Sequence, residues 1–173
     1  MEFFSVFKYR KPKPSQDLKD CADNAVADFQ ENDFLGKAAE AGHKAKAAVE
    51  AKQYDDAWRF YHEQKSFYMR HANRSGFTAR QTLALDSSVH EEMANILRIE
   101  GKHPDALVHI VYWVLAGADR PIKRHHKKFQ SYFNRCRFEK TTASDAIDVV
   151  QAQTKMPEFH LARKLVSEWI SRG

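Results

Sequence analysis

Cysteine, proline and glycine are scarce in this 173-residue chain, which has 2, 5 and 6 of them respectively. Two cysteines, Cys21 and Cys136, cannot build a disulfide framework, so a reducing compartment is expected. So few prolines and glycines leave little material for the turns of a many-stranded β protein. Long apolar runs are missing too. The longest is Ile110–Ala116, far short of the ~20 residues that span a bilayer. There is no His-Glu-x-x-His, no Cys-x-x-Cys pair and no glycine-rich phosphate loop, so the chemistries those motifs carry are not expected. At the N-terminus the apolar stretch Phe3-Phe4-Ser5-Val6-Phe7 precedes the basic stretch Lys8–Lys13, the reverse of a secretory leader. The reading is cytoplasmic, with Phe3, Phe4 and Phe7 expected to strap back onto the domain.

What is present is helical pattern. The length suits one domain. Pro12 and Pro14 close an extended arm over 1–14, and 15–173 reads as a single helical domain. Apolar residues at helical spacing predict a first, acidic helix over about Gln16 to Gln30 and an alanine-rich second over Phe34 to Ala51. The third spans about Asp55 to Ala72 and carries an aromatic stripe. A fourth starts with Thr78 as its cap and ends at Gly101, with a possible break at Asp86-Ser87-Ser88. The fifth, Pro104 to Ala116, is apolar on most sides and should sit at the centre of the fold. Further helices are expected over about Pro121 to Phe138, over Asp145 to Thr154 with Thr142 or Ser144 as cap, and from Pro157 to near Ile170. No stretch alternates with period two. The expected fold is all-α, an array of about eight helices in antiparallel hairpins or an irregular helical bundle.

Within it, His90 to Trp113 resembles a tetratricopeptide repeat. Met93, Ala94, Leu97, Gly101, His103, Ala106, Ile110 and Trp113 fall at that family's small and large positions. Small residues at Ala94 and Ala106 let two antiparallel helices touch, and Gly101 allows the tight turn. Two fainter copies are carried by Ala45, Tyr54, Ala57 and Tyr61, and by Val150, Phe159, Ala162, Val166 and Trp169. The aligned alanines Ala57, Ala106 and Ala162 are 49 and 56 residues apart, whereas the family's period is 34, so the array is degenerate. The resemblance implies binding of a peptide or partner domain on a concave helical face. Tyr54, Trp58 and Tyr61 are candidates for lining such a groove.

Charge is concentrated in one place. Arg120, Lys123, Arg124, Lys127, Lys128, Arg135, Arg137 and Lys140 stand against Asp119 and Glu139, a local charge of +6 where the whole chain carries +5. Everything else is near −1. On a helical wheel Arg120, Lys123, Arg124, Lys127, Lys128 and Arg135 share an arc of roughly 140°, opposite Ile122, Phe129, Phe133 and Cys136. One face should enter the core and the other should present cations to an acidic protein or to nucleic acid phosphate. Tyr132, at the edge of the basic arc, is placed to stack on a base.

Catalytic patterns are thin. Glu40-x-x-His43 and Glu100-x-x-His103 have the spacing of carboxylate-bridged di-iron bundles, but the second copy ends a helix at Gly101. No metal and no cofactor is expected. Arg120-x4-His125 and Arg98-x4-His103 are similar to the Arg-x4–6-His motif of HEPN-type ribonucleases, a resemblance that implies metal-free RNA cleavage by a histidine and an arginine. The leading expectation is a non-catalytic protein- or peptide-binding adaptor or chaperone-like module, with helix 120–138 as a contact surface for an acidic partner. Nucleic-acid binding, with or without HEPN-like cleavage, is the alternative.

Overall fold

Capping and backbone geometry divide the polypeptide where its polar and glycine residues predict. A computed structural model describes residues 31–118, 123–153 and 156–172. The chain divides into two units, Met1–Asp33 and Phe34–Gly173. The expected arm, the expected first helix, the N-terminal phenylalanines and Arg120 lie outside the described residues. The larger unit holds α1 (Phe34–Glu50), α2 (Tyr54–Arg74), α3 (Ala79–Ser88), α4 (His90–Ile99), α5 (His103–Ala116), α6 (Lys123–Cys136), α7 (Ala143–Gln151) and α8 (Phe159–Arg172). The described residues contain no strand.

Thr78 caps α3 through a capping box. The Gln81 N–H donates to Thr78 Oγ1 at 3.3 Å, and the Thr78 N–H donates to Gln81 Oε1 at 2.9 Å. Of the two candidates for the cap of α7 the fold uses Thr142, whose Oγ1 accepts from the Asp145 N–H at 3.1 Å. At Asp86-Ser87-Ser88, where the sequence leaves continuation and break both open, the helix breaks. Ser87 and Ser88 donate back to the carbonyls of Ala84 and Leu85, at 3.3 and 2.7 Å, and a single residue, Val89, separates α3 from α4.

Gly101 closes α4 at φ +77°, with the Lys102 N–H on the Leu97 carbonyl at 2.9 Å. Lys52 does the same job after α1 at φ +59°, where a side chain is strained by about 1–2 kcal/mol. Lys52→Gly is expected to raise the urea midpoint. The net gain is below about 1 kcal/mol, because glycine also loosens the unfolded chain.

The apolar fifth helix is central. α5 packs against α3, α4, α6, α7 and α8. Ala106, Leu107, Ile110 and Val111 are fully buried within it. Ala94 of α4 meets it without exposed surface, as the turn at Gly101 requires for two helices this close. A second, smaller core joins α1, α2 and α4 through Ala45, Ala48, Ala57, Tyr61, Val89, Met93 and Ile96. α1–α2 and α4–α5 are therefore hairpins joined by short turns.

The second faint copy, Val150 to Trp169, does not pair in this way. α7 lies on α6 and α5, and α8 lies on α5. Its large residues are drawn elsewhere: Trp169 meets the rings of Phe129 and Phe133 on α6, at 6.1 and 5.5 Å between centroids.

Candidate functional site

Burial sorts the basic helix. Phe129, Tyr132 and Phe133 turn into the core and are almost fully buried. Tyr132, expected at the edge of the cationic face, is only 4% exposed and has no face for a base. Of the six cations named on the arc, Arg120 and the side chain of Lys123, the first residue of α6, lie outside the described residues.

Two of the other four are tied down. Glu91 of α4 is 12% exposed and accepts from Arg124 Nη2 at 2.8 Å and from Lys128 Nζ at 3.0 Å. Arg124 also lies over the Trp113 ring at 5.5 Å. This clamp holds α6 to α4 and uses half of the described cationic set. Lys127 and Arg135 remain exposed, with no ion pair among the described residues.

Of the Arg-x4-His pairs, Arg120 lies outside the described residues, and the two histidines sit in different settings. His125 is 8% exposed and meets Trp113 edge-on at 4.1 Å. A Cβ at Gly117 would collide with its imidazole. Burial, helped by Arg124, pushes its pKa below the usual range. Arg98 donates to Asn95 Oδ1 at 2.6 and 3.1 Å along its own helix, while His103 begins the next one. Glu40 pairs with Lys44 at 2.7 Å and Glu100 with Lys102 at 3.3 Å. Among the described residues no three His, Cys, Asp or Glu side chains gather as a metal site. Burial raises the Cys136 thiol to about 11, which leaves it a poor nucleophile.

The aromatic stripe of α2 does not line one groove. Tyr54 borders a cleft of about 300 Å³ with Lys52, Asp55, Asp56 and Glu100. Trp58 turns inward and meets His62 and His109 at 5.4 and 5.5 Å. Tyr61, 2% exposed, forms part of a different cleft. A 21-residue helix changes neighbours along its length, so residues on one stripe reach different surroundings.

That second cleft, about 290 Å³, opens where α1, α2 and α4 meet. His43 and Lys46 come from α1, Tyr61, Gln64 and Tyr68 from α2, Ser88 from the end of α3 and Glu92 from α4. Gln64 Nε2 donates to Tyr68 Oη at 3.1 Å. Gly42 makes room for it: a Cβ there would stand 2.8 Å from Gln64 Nε2. Burial, with Glu92 nearby, pushes Tyr61 up to about 12, so its hydroxyl stays protonated.

Sequence reasoning missed a polar cluster inside the fold. Lys65 Nζ lies 3.0 Å from Asp86 Oδ1 and 3.2 Å from His90 Nε2. Tyr112 Oη donates to Asp86 Oδ2 at 2.6 Å. An ammonium only donates, so His90 Nε2 accepts and the ring's proton sits on Nδ1. Nδ1 of His90 is buried without a partner, as is Nδ1 of His109, whose ring is 4.8 Å away. Asp86 and His90, four apart across the α3–α4 break, and a histidine in the middle of the most apolar helix were the available signals.

Comparison with protein-family models, with curated proteins and with solved structures gives no match. No helix among the described residues is long and apolar enough to cross a membrane.

Proposed function

We propose that the protein is a non-catalytic binding module that holds a peptide segment of a partner protein in the cleft between α1, α2 and α4. The observation that carries this is the lining. His43, Lys46, Tyr61, Gln64, Tyr68, Ser88 and Glu92 bring donors and acceptors of both charge signs around an aromatic floor. Such a surface suits peptide backbone amides, which need partners at short intervals. The α1–α2 and α4–α5 hairpins resemble tetratricopeptide units, and that resemblance supports an adaptor or chaperone-like role. The scarcity of cysteine supports a cytoplasmic setting. Lys127 and Arg135 offer a secondary contact for acidic residues of the partner. Nucleic-acid binding is less favoured, because Arg124 and Lys128 are already paired with Glu91.

Selection from a displayed peptide library tests the proposal. Selected peptides should bind wild type and Lys127→Glu/Arg135→Glu alike, and bind Gln64→Ala/Glu92→Ala about tenfold or more weakly. No enriched peptide, together with salt-sensitive binding of labelled RNA or DNA that Lys127→Glu/Arg135→Glu removes, would overturn it.

A further inference from the structure

A separate cavity of about 180 Å³ lies between α5 and α8. It is smaller than the roughly 300–1,000 Å³ of sites for drug-sized ligands, which points to a small ligand. Its chemistry is amphoteric. Asp105 of α5 and Arg163 of α8 both line it, both are exposed, and neither has an ion pair among the described residues. The two charges border one small cavity without forming an ion pair with each other, and the Arg163 guanidinium lies over the ring of Phe159, another wall of the cavity, at 5.6 Å, which leaves its N–H edge for a ligand.

The remaining walls divide into apolar and polar. Val108 and Val166 are buried, while Ile170 is 50% exposed, a large apolar side chain left at the mouth. His109 also lines the cavity. It is only 8% exposed and its Nδ1 has no hydrogen-bond partner, a costly state for a buried ring nitrogen. Arg163 is near enough to His109 to disfavour its protonation, so the two act on the same space.

We propose that this cavity binds a free α-amino acid with an apolar side chain. The ligand's ammonium faces Asp105, its carboxylate takes the fork of Arg163, and its side chain covers Val108, Val166 and Ile170. A single-charge ligand would leave Asp105 or Arg163 facing it unmatched, which is why a zwitterion fits better than a simple acid or amine.

Isothermal titration calorimetry decides it, with leucine, glycine, 3-methylbutylamine and 4-methylpentanoate as ligands up to about 10 mM. Leucine should bind with a saturable heat. Glycine, which lacks the apolar group, and the two analogues, which each lack one charge, should bind at least about tenfold more weakly. Asp105→Asn and Arg163→Gln, both at exposed positions, should keep the melting temperature of the free protein close to wild type and lose leucine affinity by a similar factor. No saturable heat from leucine would overturn the proposal. So would equal binding of either single-charge analogue, or unchanged binding by both variants. The site is independent of the peptide cleft: Gln64→Ala/Glu92→Ala should leave leucine affinity unaltered, so failure of one reading leaves the other standing.

Discussion

Asp86→Ala should destabilise the protein by about 3 kcal/mol. Asp86 is the only acid among the described residues that joins Lys65 of α2 to Tyr112 of α5, at 3.0 and 2.6 Å. The aspartate and lysine side chains are 18% and 27% exposed, so the cluster is largely but not wholly out of water. Removing one partner of a buried charged pair costs about 3–5 kcal/mol, chiefly by leaving the other charge unmatched. Partial exposure of Lys65 brings the expectation to the low end, and the orphaned Tyr112 hydroxyl, on a 5% exposed residue, adds to it. The double variant Asp86→Ala/Lys65→Met should recover part of the loss, since no charge is then left alone. Urea unfolding of the single and double variants measures both values. A single-variant loss below about 1 kcal/mol, the range of a surface pair, would contradict the role given to the cluster.

Acid should unfold the protein well before its carboxylates are fully protonated. Burial is the main reason that His109 is lowered to about 4 and His90 to about 2. After burial, His109, Lys65 and His62 disfavour the charged form of His90, and Lys65, His62 and Arg163 of α8 disfavour that of His109. Below pH 6.5 the unfolded chain binds protons that the native rings refuse, so stability falls as pH falls. The loss begins near pH 6.5, levels off for His109 near pH 4, and continues for His90 towards pH 2. His109 alone accounts for about 3 kcal/mol across that window. His109→Phe keeps an aromatic ring and removes the titration, so its stability should vary less between pH 7 and pH 4. Denaturant melts at pH 7, 5.5 and 4 compare the two proteins. An equal slope in both would contradict the assignment.

The helices were legible in the sequence because their signals are local. Thr78 with Gln81 and Thr142 with Asp145 are capping boxes that spacing alone exposes. The apolar content of 104–116 marked the central helix, since a helix without a polar side must be enclosed. What spacing cannot give is the partner of a face. Trp169 has the period of a hairpin residue yet packs on Phe133 of a different helix. Arg124 and Lys128 read as free cations, and only the approach of Glu91, more than thirty positions earlier in the chain, turns them into a clamp. The polar cluster was only faintly signalled, for the same reason. Lys65, Asp86, His90 and Tyr112 come from four helices, and each is unremarkable on its own wheel.

The central claim is the peptide cleft, and mapping by amide nuclear magnetic resonance tests it most directly. A peptide recovered by selection is titrated into labelled protein. Shift changes should gather on Gly42, Gln64, Tyr68, Ser88 and Glu92 and leave Lys127 to Arg135 unmoved, and the affinity should change little with salt. Changes confined to Lys127 to Arg135, fading as salt is raised, would contradict the account and move the contact surface to α6.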